Sequence, residues 1–248
     1  MSESPMSEPV YSVFGSGEFL PWSVEVDRSA LHRARDGDGS VLILPAASAP
    51  EGDDVFDNWA RMGLEHYEGM GVPARVSGLK TREDARSEAH IAQIEGASML
   101  YFSGGNPAYL ADTLRDTPFW EAVTYAVDRG VALAGCSAGA CIVGAIAPDT
   151  TEEEDIERAL GTPGLHLLAG VIFGPHWNML EHYRPGLQKM FIDKARKDHP
   201  ECTLVAIDED TAISGNGTDW QVYGKGQVGI IKDGVRAADY RAGSAFRL

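Results

Sequence analysis

The sequence predicts a three-layer α/β fold, a doubly wound and mostly parallel sheet covered by helices on both faces, with antiparallel strands in the C-terminal third. Three observations predict it. Unbroken apolar runs at residues 41–44, 98–102 and 130–134 have the length and continuity of strands buried on both faces. Segments of helical spacing alternate with those runs, as right-handed crossovers between parallel strands require. After residue 200 the pattern changes to short strands at 203–207, 212–214, 220–223 and 228–232, separated by Gly, Asn and Asp turns.

In chain order, residues 1–9 carry three serines, two prolines and two glutamates and are expected to form a flexible tail, with a single α/β domain over 10–248. Residues 10–14 read as a first strand ending in the turn Gly15-Ser16-Gly17-Glu18, and residues 24–34 as a helix. The strand at 41–44 runs into Pro45-Ala46-Ala47-Ser48. Residues 54–70 follow with helical periodicity, with Val55, Trp59, Met62 and Leu64 as inward positions. Residues 74–76 resume strand character. Thr81 is placed to cap a helix over 85–94. The strand at 98–102 ends in Ser103-Gly104-Gly105-Asn106, and the strand at 130–134 meets a small-residue helix over 138–145. Residues 149–155 form an acidic run, and residues 165–172 are an apolar approach to His176. In a doubly wound sheet ligands bind beyond the C-terminal strand ends, so these small-residue turns are expected to gather on one rim.

There are 37 acidic and 21 basic residues, a formal charge of −16. Such a surface repels polyanions, which argues against nucleic acid and anionic membranes as partners. The N-terminus lacks the basic and apolar regions of a signal peptide, and no apolar run reaches membrane-spanning length, so a cytoplasmic location is expected. Cys136, Cys141 and Cys202 form neither an even set nor a metal-spaced pair. Neither a metal nor an organic cofactor is called for. Trp22, Trp120 and Tyr183 are candidates for a homo-oligomer contact, with core or pocket packing the competing use.

The chemistry centres on Gly135-Cys136-Ser137-Ala138-Gly139, a G-x-S-x-G pattern between an apolar strand and a small-residue helix. At such an elbow a sharp turn displays the serine. The flanking glycines leave room for backbone, and the helix N-terminus offers N–H groups to a developing oxyanion. A serine hydroxyl needs an adjacent base, usually an imidazole oriented by a carboxylate. His176, after Phe173-Gly174-Pro175, sits at a strand end; His166, His182 and His199 lie in less suitable settings, and His32, His66 and His90 fall in expected helices. For the acid, the turn Asp208-Glu209-Asp210 after the 203–207 strand competes with the run at 152–155. The turn is preferred because a strand end holds a carboxylate more firmly, with Glu209 chosen over Asp208. The order Ser, His, acid differs from that of an α/β-hydrolase, whose acid precedes its histidine and would here be Asp149 or Asp155. A nucleophilic Cys136 or Cys141 and a catalytically silent binding pocket are the other readings.

The blocks around Glu18, 42–48, Phe102-Ser103-Gly104-Gly105-Asn106, the Ser137 elbow and Ile207-Asp208-Glu209-Asp210-Thr211-Ala212 together resemble the dipeptidase E and cyanophycinase family of serine peptidases. The resemblance extends to about residue 233. It implies a flavodoxin-like, class I glutamine amidotransferase-like fold, with Ser137 as nucleophile, His176 as base and then acid, and Glu209 as its orienting carboxylate. The N–H groups of Gly105 and Ala138 would be the oxyanion donors, with Glu18, Asn106 and Arg184 as candidate substrate contacts. In cyanophycinases the histidine typically follows Asp-Gln and precedes a series of arginines. Here Gly174-Pro175 precedes it, Arg184 is the arginine nearby, and Pro107 follows Asn106 where a polar residue is usual. These departures disfavour cyanophycin and leave a small peptide or amide as the expected substrate.

Overall fold

The computed structural model describes residues 8–152 and 154–248; most of the expected tail, and Glu153 of the acidic run, lie outside the described residues. In the N-terminal half, strands β1 (Tyr11–Phe14), β2 (Ser40–Leu44), β3 (Ala74–Val76), β4 (Ala97–Phe102) and β5 (Ala132–Cys136) alternate with helices. The helices are α1 (Val24–Arg33), α2 (Asp53–Met70), α3 (Glu88–Ile91), α4 (Pro107–Leu114), α5 (Pro118–Asp128) and α6 (Ala138–Val143). Helices α7 (Ile156–Ala159), α8 (Leu180–Tyr183) and α9 (Leu187–Asp198) surround β6 (Val171–Gly174). Strands β7 (Thr203–Ile207), β8 (Thr211–Gly215), β9 (Asp219–Gly224), β10 (Gln227–Lys232), β11 (Val235–Arg241) and β12 (Ala245–Arg247) complete the chain.

The main sheet has eight strands in the order β12-β9-β8-β1-β5-β4-β2-β3. Its β1, β5, β4, β2 and β3 are parallel, and β8, β9 and β12 extend it in antiparallel fashion from the β1 edge. Side-chain alternation divides its strands between two cores. Leu42, Leu44, Leu100 and Phe102 point into a cluster with Leu110, Phe119 and Val123 of α4 and α5. Val41, Ile43, Met99 and Tyr101 point into a second with Val26 of α1 and Tyr67 of α2. Two packed faces explain the unbroken apolar runs.

The C-terminal third both extends this sheet and builds another. Strands β11, β10, β7 and β6 form a four-stranded sheet, in which β6 and β7 are parallel and the other pairs antiparallel. Phe173, Val205, Ile207, Val228 and Ile230 from this sheet share the first core cluster with Val13, Ile213 and Trp220 of the main one. Among the described residues no helix is long and apolar enough to cross a membrane.

Three local expectations need correction. The helix at 85–94 is broken into two 3-10 turns, Asp84–Arg86 and Ala92–Ile94, around the short α3. Thr81 and Asp84 instead close a capping turn: the Asp84 carboxylate accepts from the Thr81 N–H at 2.8 Å, and the Asp84 N–H donates to the Thr81 hydroxyl at 3.2 Å. In α2 the buried stripe is Phe56, Gly63, Tyr67 and Met70, while Val55, Trp59 and Met62 are half-buried and Leu64 is exposed. Helical spacing finds a face but not its rotation, because Phe56, Tyr67 and Met70 form an equally good stripe. The elbow helix ends at Val143, two residues short of the expected end.

Candidate active site

Five chain segments reach the rim where the site forms. Strand β1 delivers residues 15–18, β4 delivers Ser103-Gly104-Gly105-Asn106, β5 delivers Ser137, and β6 and β7 of the second sheet deliver His176 and Glu209. The two sheets join there: the His176 N–H donates to Gly15 O at 3.3 Å, and the Asp210 N–H donates to the Ser16 hydroxyl at 3.1 Å.

Ser137 is displayed by its backbone. It adopts φ 51° and ψ −105°, a conformation that L-residues rarely take, between the last residue of β5 and the first of α6. Its neighbours have to be glycine. A Cβ on Gly135 would lie 2.4 Å from Gly139 O, and one on Gly139 would lie 2.2 Å from Phe102 O. Strand, elbow and helix therefore touch through bare backbone, and the half-buried Ser137 hydroxyl faces the rim.

The Ser137 Oγ lies 2.8 Å from His176 Nε2, and His176 Nδ1 lies 3.1 Å from Glu209 Oε1. The His176 and Glu209 side chains keep 27% and 36% exposure, so the pair is supported from behind and open to a ligand in front. Tyr183 at the end of α8 donates its phenol to Glu209 Oε1 at 3.3 Å, and the Glu209 N–H donates to Asn178 Oδ1 at 2.9 Å. Partial burial, then the Glu209 carboxylate, raises the Tyr183 phenol above its ordinary value, so this donor keeps its proton. The spacing pattern does not reveal Asn178 and Tyr183 as partners of Glu209. The hint available is their position, two and seven residues past the histidine.

The competing acids point elsewhere. Asp208 is buried, accepts from the Gln227 N–H at 3.1 Å, and is pushed up by desolvation. Glu152 accepts from the Glu154 and Asp155 N–H groups and pairs with Arg158, and Asp155 caps α7. Asp149 bonds to the Asn106 amide and to Thr151, which hold its carboxyl below the usual range. The thiols are also poorly placed for chemistry. Cys136 and Cys141 are buried; desolvation raises Cys136 well above its ordinary value and pushes Cys141 up to about 12.

Gly105 lies in the loop after β4, and Ala138, the residue after Ser137, opens α6. The N–H groups of Ser103 and Asn106 are spent on Leu44 O and Ala47 O, and that of Gly104 on Glu18, whereas among the described residues neither Gly105 nor Ala138 N–H has a protein acceptor. Gly105 has φ 139°, and a Cβ there would lie 2.3 Å from Ala47 C, so its N–H direction depends on glycine.

The expected substrate contacts fare differently. Glu18 is buried, with one oxygen on the Gly104 N–H and the other on the Cys136 thiol. Asn106 is buried as the N-cap of α4, accepting from the Tyr109 N–H at 3.0 Å and donating to Asp149 at 2.9 Å. Both side chains are held by protein partners within the scaffold of the rim. Arg184 is exposed at the end of α8, next to Tyr183. Among the described residues, the groups able to share a cation are His199, Glu201 and Cys202. Their ligand atoms lie within 4.8 Å of one another near the start of β7, the end opposite Glu209.

Comparison with known proteins bears on the family and the fold. The model of peptidase family S51 matches residues 14–223. A cyanophycinase of Trichormus variabilis is 29% identical over 230 residues, covering 88% of this chain and 72% of that protein. The cyanophycinase of Geminocystis herdmanii is 29% identical over 228 residues, covering 88% and 79%. A crystal structure of a peptidase from an acI-B1 Actinobacterium superposes with a TM-score of 0.86 at 28% identity, over 98% of this chain and 99% of that one. A putative peptidase E protein from Listeria monocytogenes shares the fold, with a TM-score of 0.60 at 16% identity over 88% and 99%.

Proposed function

Because the chain belongs to peptidase family S51, a family of serine-type hydrolases, we propose that it cleaves a small peptide or amide through an acyl-enzyme formed on Ser137. In this reading Ser137 Oγ attacks the scissile carbonyl carbon while its proton passes to His176 Nε2. The carbonyl oxygen becomes an oxyanion held by the N–H groups of Gly105 and Ala138. Collapse breaks the C–N bond, and His176 returns the proton to the leaving amine. Water then attacks the ester, gives a proton to His176, and releases the acid and the serine hydroxyl. Glu209 holds the imidazole with Nδ1 as donor and stabilises the imidazolium; Tyr183 and Asn178 hold Glu209.

The observation that carries the proposal is the unbroken series of contacts from Ser137 through His176 to Glu209, 2.8 and 3.1 Å, at the mouth of the rim. The open setting of His176 and Glu209 suits a short substrate approaching from solvent.

A fluorophosphonate reagent and a library of short peptides test it together. The protein should take the label on Ser137 and release new amines from the library, and Ser137→Ala and His176→Ala should lose both while keeping their circular dichroism. Full peptide cleavage by folded Ser137→Ala would refute the mechanism. A folded wild type that neither labels nor cleaves would leave the pocket as a binding site without chemistry.

A further inference from the structure

We propose that Glu18 is a positioning residue that sets the spacing of the two oxyanion donors, a role that rests on the serine-peptidase reading above. Its carboxylate lies in the turn after β1 and is only 4% exposed. One oxygen accepts from the Gly104 N–H at 2.9 Å and the other from the Cys136 thiol at 2.8 Å. Gly104 immediately precedes Gly105, and Cys136 immediately precedes Ser137 and Ala138. One buried side chain thus ties the loop after β4 to the end of β5, the two segments that lead into the proposed donors.

The packing leaves little slack around this tie. A Cβ on Gly104 would lie 3.2 Å from Glu18 Oε1 and 3.6 Å from Ser137 Cβ, so the loop rests against the elbow with the carboxylate beside it. The backbone anchors of that loop run the other way: Ser103 N–H to Leu44 O and Asn106 N–H to Ala47 O bind it to the end of β2. The β4–β5 ladder brings the loop beside the elbow as far as the Phe102–Gly135 pair. Glu18 ties the two segments again just beyond that pair, where Gly104 and Cys136 lead into the two donors. The same contact gives the buried thiol of Cys136 a use: it stays protonated and donates to the carboxylate.

Geometry gives such a tie its value. Oxyanion donors act over roughly 2.7–3.1 Å, and a displacement of about 1 Å can cost about a hundredfold in rate. Losing the tie should therefore slow the step in which the tetrahedral centre forms and leave reversible ligand binding nearly unchanged.

The test needs no identified substrate. A fluorophosphonate reagent reports through its maximal rate of Ser137 phosphonylation and its reversible binding constant, measured on wild type, Glu18→Ala, Glu18→Gln and Glu18→Asp. Glu18→Ala should lower the maximal rate about 10- to 100-fold with the binding constant within about twofold. Glu18→Gln, the same size and still able to accept from the Gly104 N–H, should stay within about threefold of wild type. Glu18→Asp, one methylene too short to span both partners, should behave like Glu18→Ala. A folded Glu18→Ala that labels at the wild-type rate overturns the proposal, as does a Glu18→Gln as slow as Glu18→Ala. If Glu18→Ala does not fold, the Gln and Asp variants decide, and equal rates in those two overturn it. Wild-type protein that takes no label on Ser137 removes the nucleophile assignment, and the role of Glu18 with it.

Discussion

Ser137 combines an unusual backbone with an ordinary hydroxyl, and its setting supplies what the side chain lacks. A positive φ at a non-glycine residue costs on the order of 1–3 kcal/mol, which the contacts of Gly135 and Gly139 with their neighbours sustain. His176 is held in the same way, with φ 52° and its N–H on Gly15 O. The contributions of the groups behind it should separate cleanly. Glu209→Gln keeps the shape but no longer favours the imidazolium, and is expected to lower kcat by about 10^4-fold. Tyr183→Phe removes one partly exposed hydrogen bond and should cost only about threefold. Steady-state kinetics on the best peptide from the library measures both, and a Tyr183→Phe defect as large as that of Glu209→Gln would mean that the phenol touches the reacting atoms.

At the scale of elements, α4 shows how a helix end can serve the site without meeting a ligand. Asn106 caps it, Pro107 occupies its first turn, and the cap side chain is itself bonded to Asp149. Asn106→Ala should cost about 1 kcal/mol of stability from the lost cap, seen as a lower urea midpoint. Because Asn106 adjoins Gly105, the same variant should also slow Ser137 labelling. Loss of stability with labelling unchanged would show that the loop at 103–106 holds its shape without the cap. Much at this scale is legible from sequence. The strands at 41–44 and 98–102, the elbow and the four C-terminal strands match observed elements, and the strand expected at 130–134 is found two residues later, because periodicity and glycine placement are local properties that fix boundaries only loosely. The face of α2 and the break at 85–94 are not, since several apolar stripes are available in each and tertiary packing chooses among them. Strands β11 and β12 also go unread, because their residues are largely exposed and carry no apolar alternation.

For the whole molecule, burial of titratable groups sets the alkaline limit of stability. The Cys141 thiol is pushed from its ordinary 9.0 up to about 12 by burial, and Cys136, Tyr67 and Tyr101 are also raised, each first by desolvation. An acid whose pKa is raised on folding keeps its proton in the folded state after the unfolded chain has released it. These groups therefore leave stability unchanged below about pH 9 and lower it as pH rises above that, by about 1.4 kcal/mol per pH unit for each buried thiol until its folded pKa is reached. Urea titrations at about pH 8 and about pH 11 should show this fall, and Cys141→Ala should flatten the slope by about one proton. An unchanged slope in that variant would show that the thiol ionises without unfolding.

The amino-acid order by itself determined the parallel core, the strand-to-helix elbow at Ser137 and a short set of candidate bases and acids, because each depends on residue spacing or on which side chains fit a tight turn. Only the tertiary structure decided how the pieces meet. Strands β6 and β7 leave the main sheet, yet their ends bring His176 and Glu209 to Ser137 from 39 and 72 positions further along the chain. It also turned Glu18 and Asn106 inward, since the worth of a polar side chain depends on partners distant in sequence that no local pattern specifies.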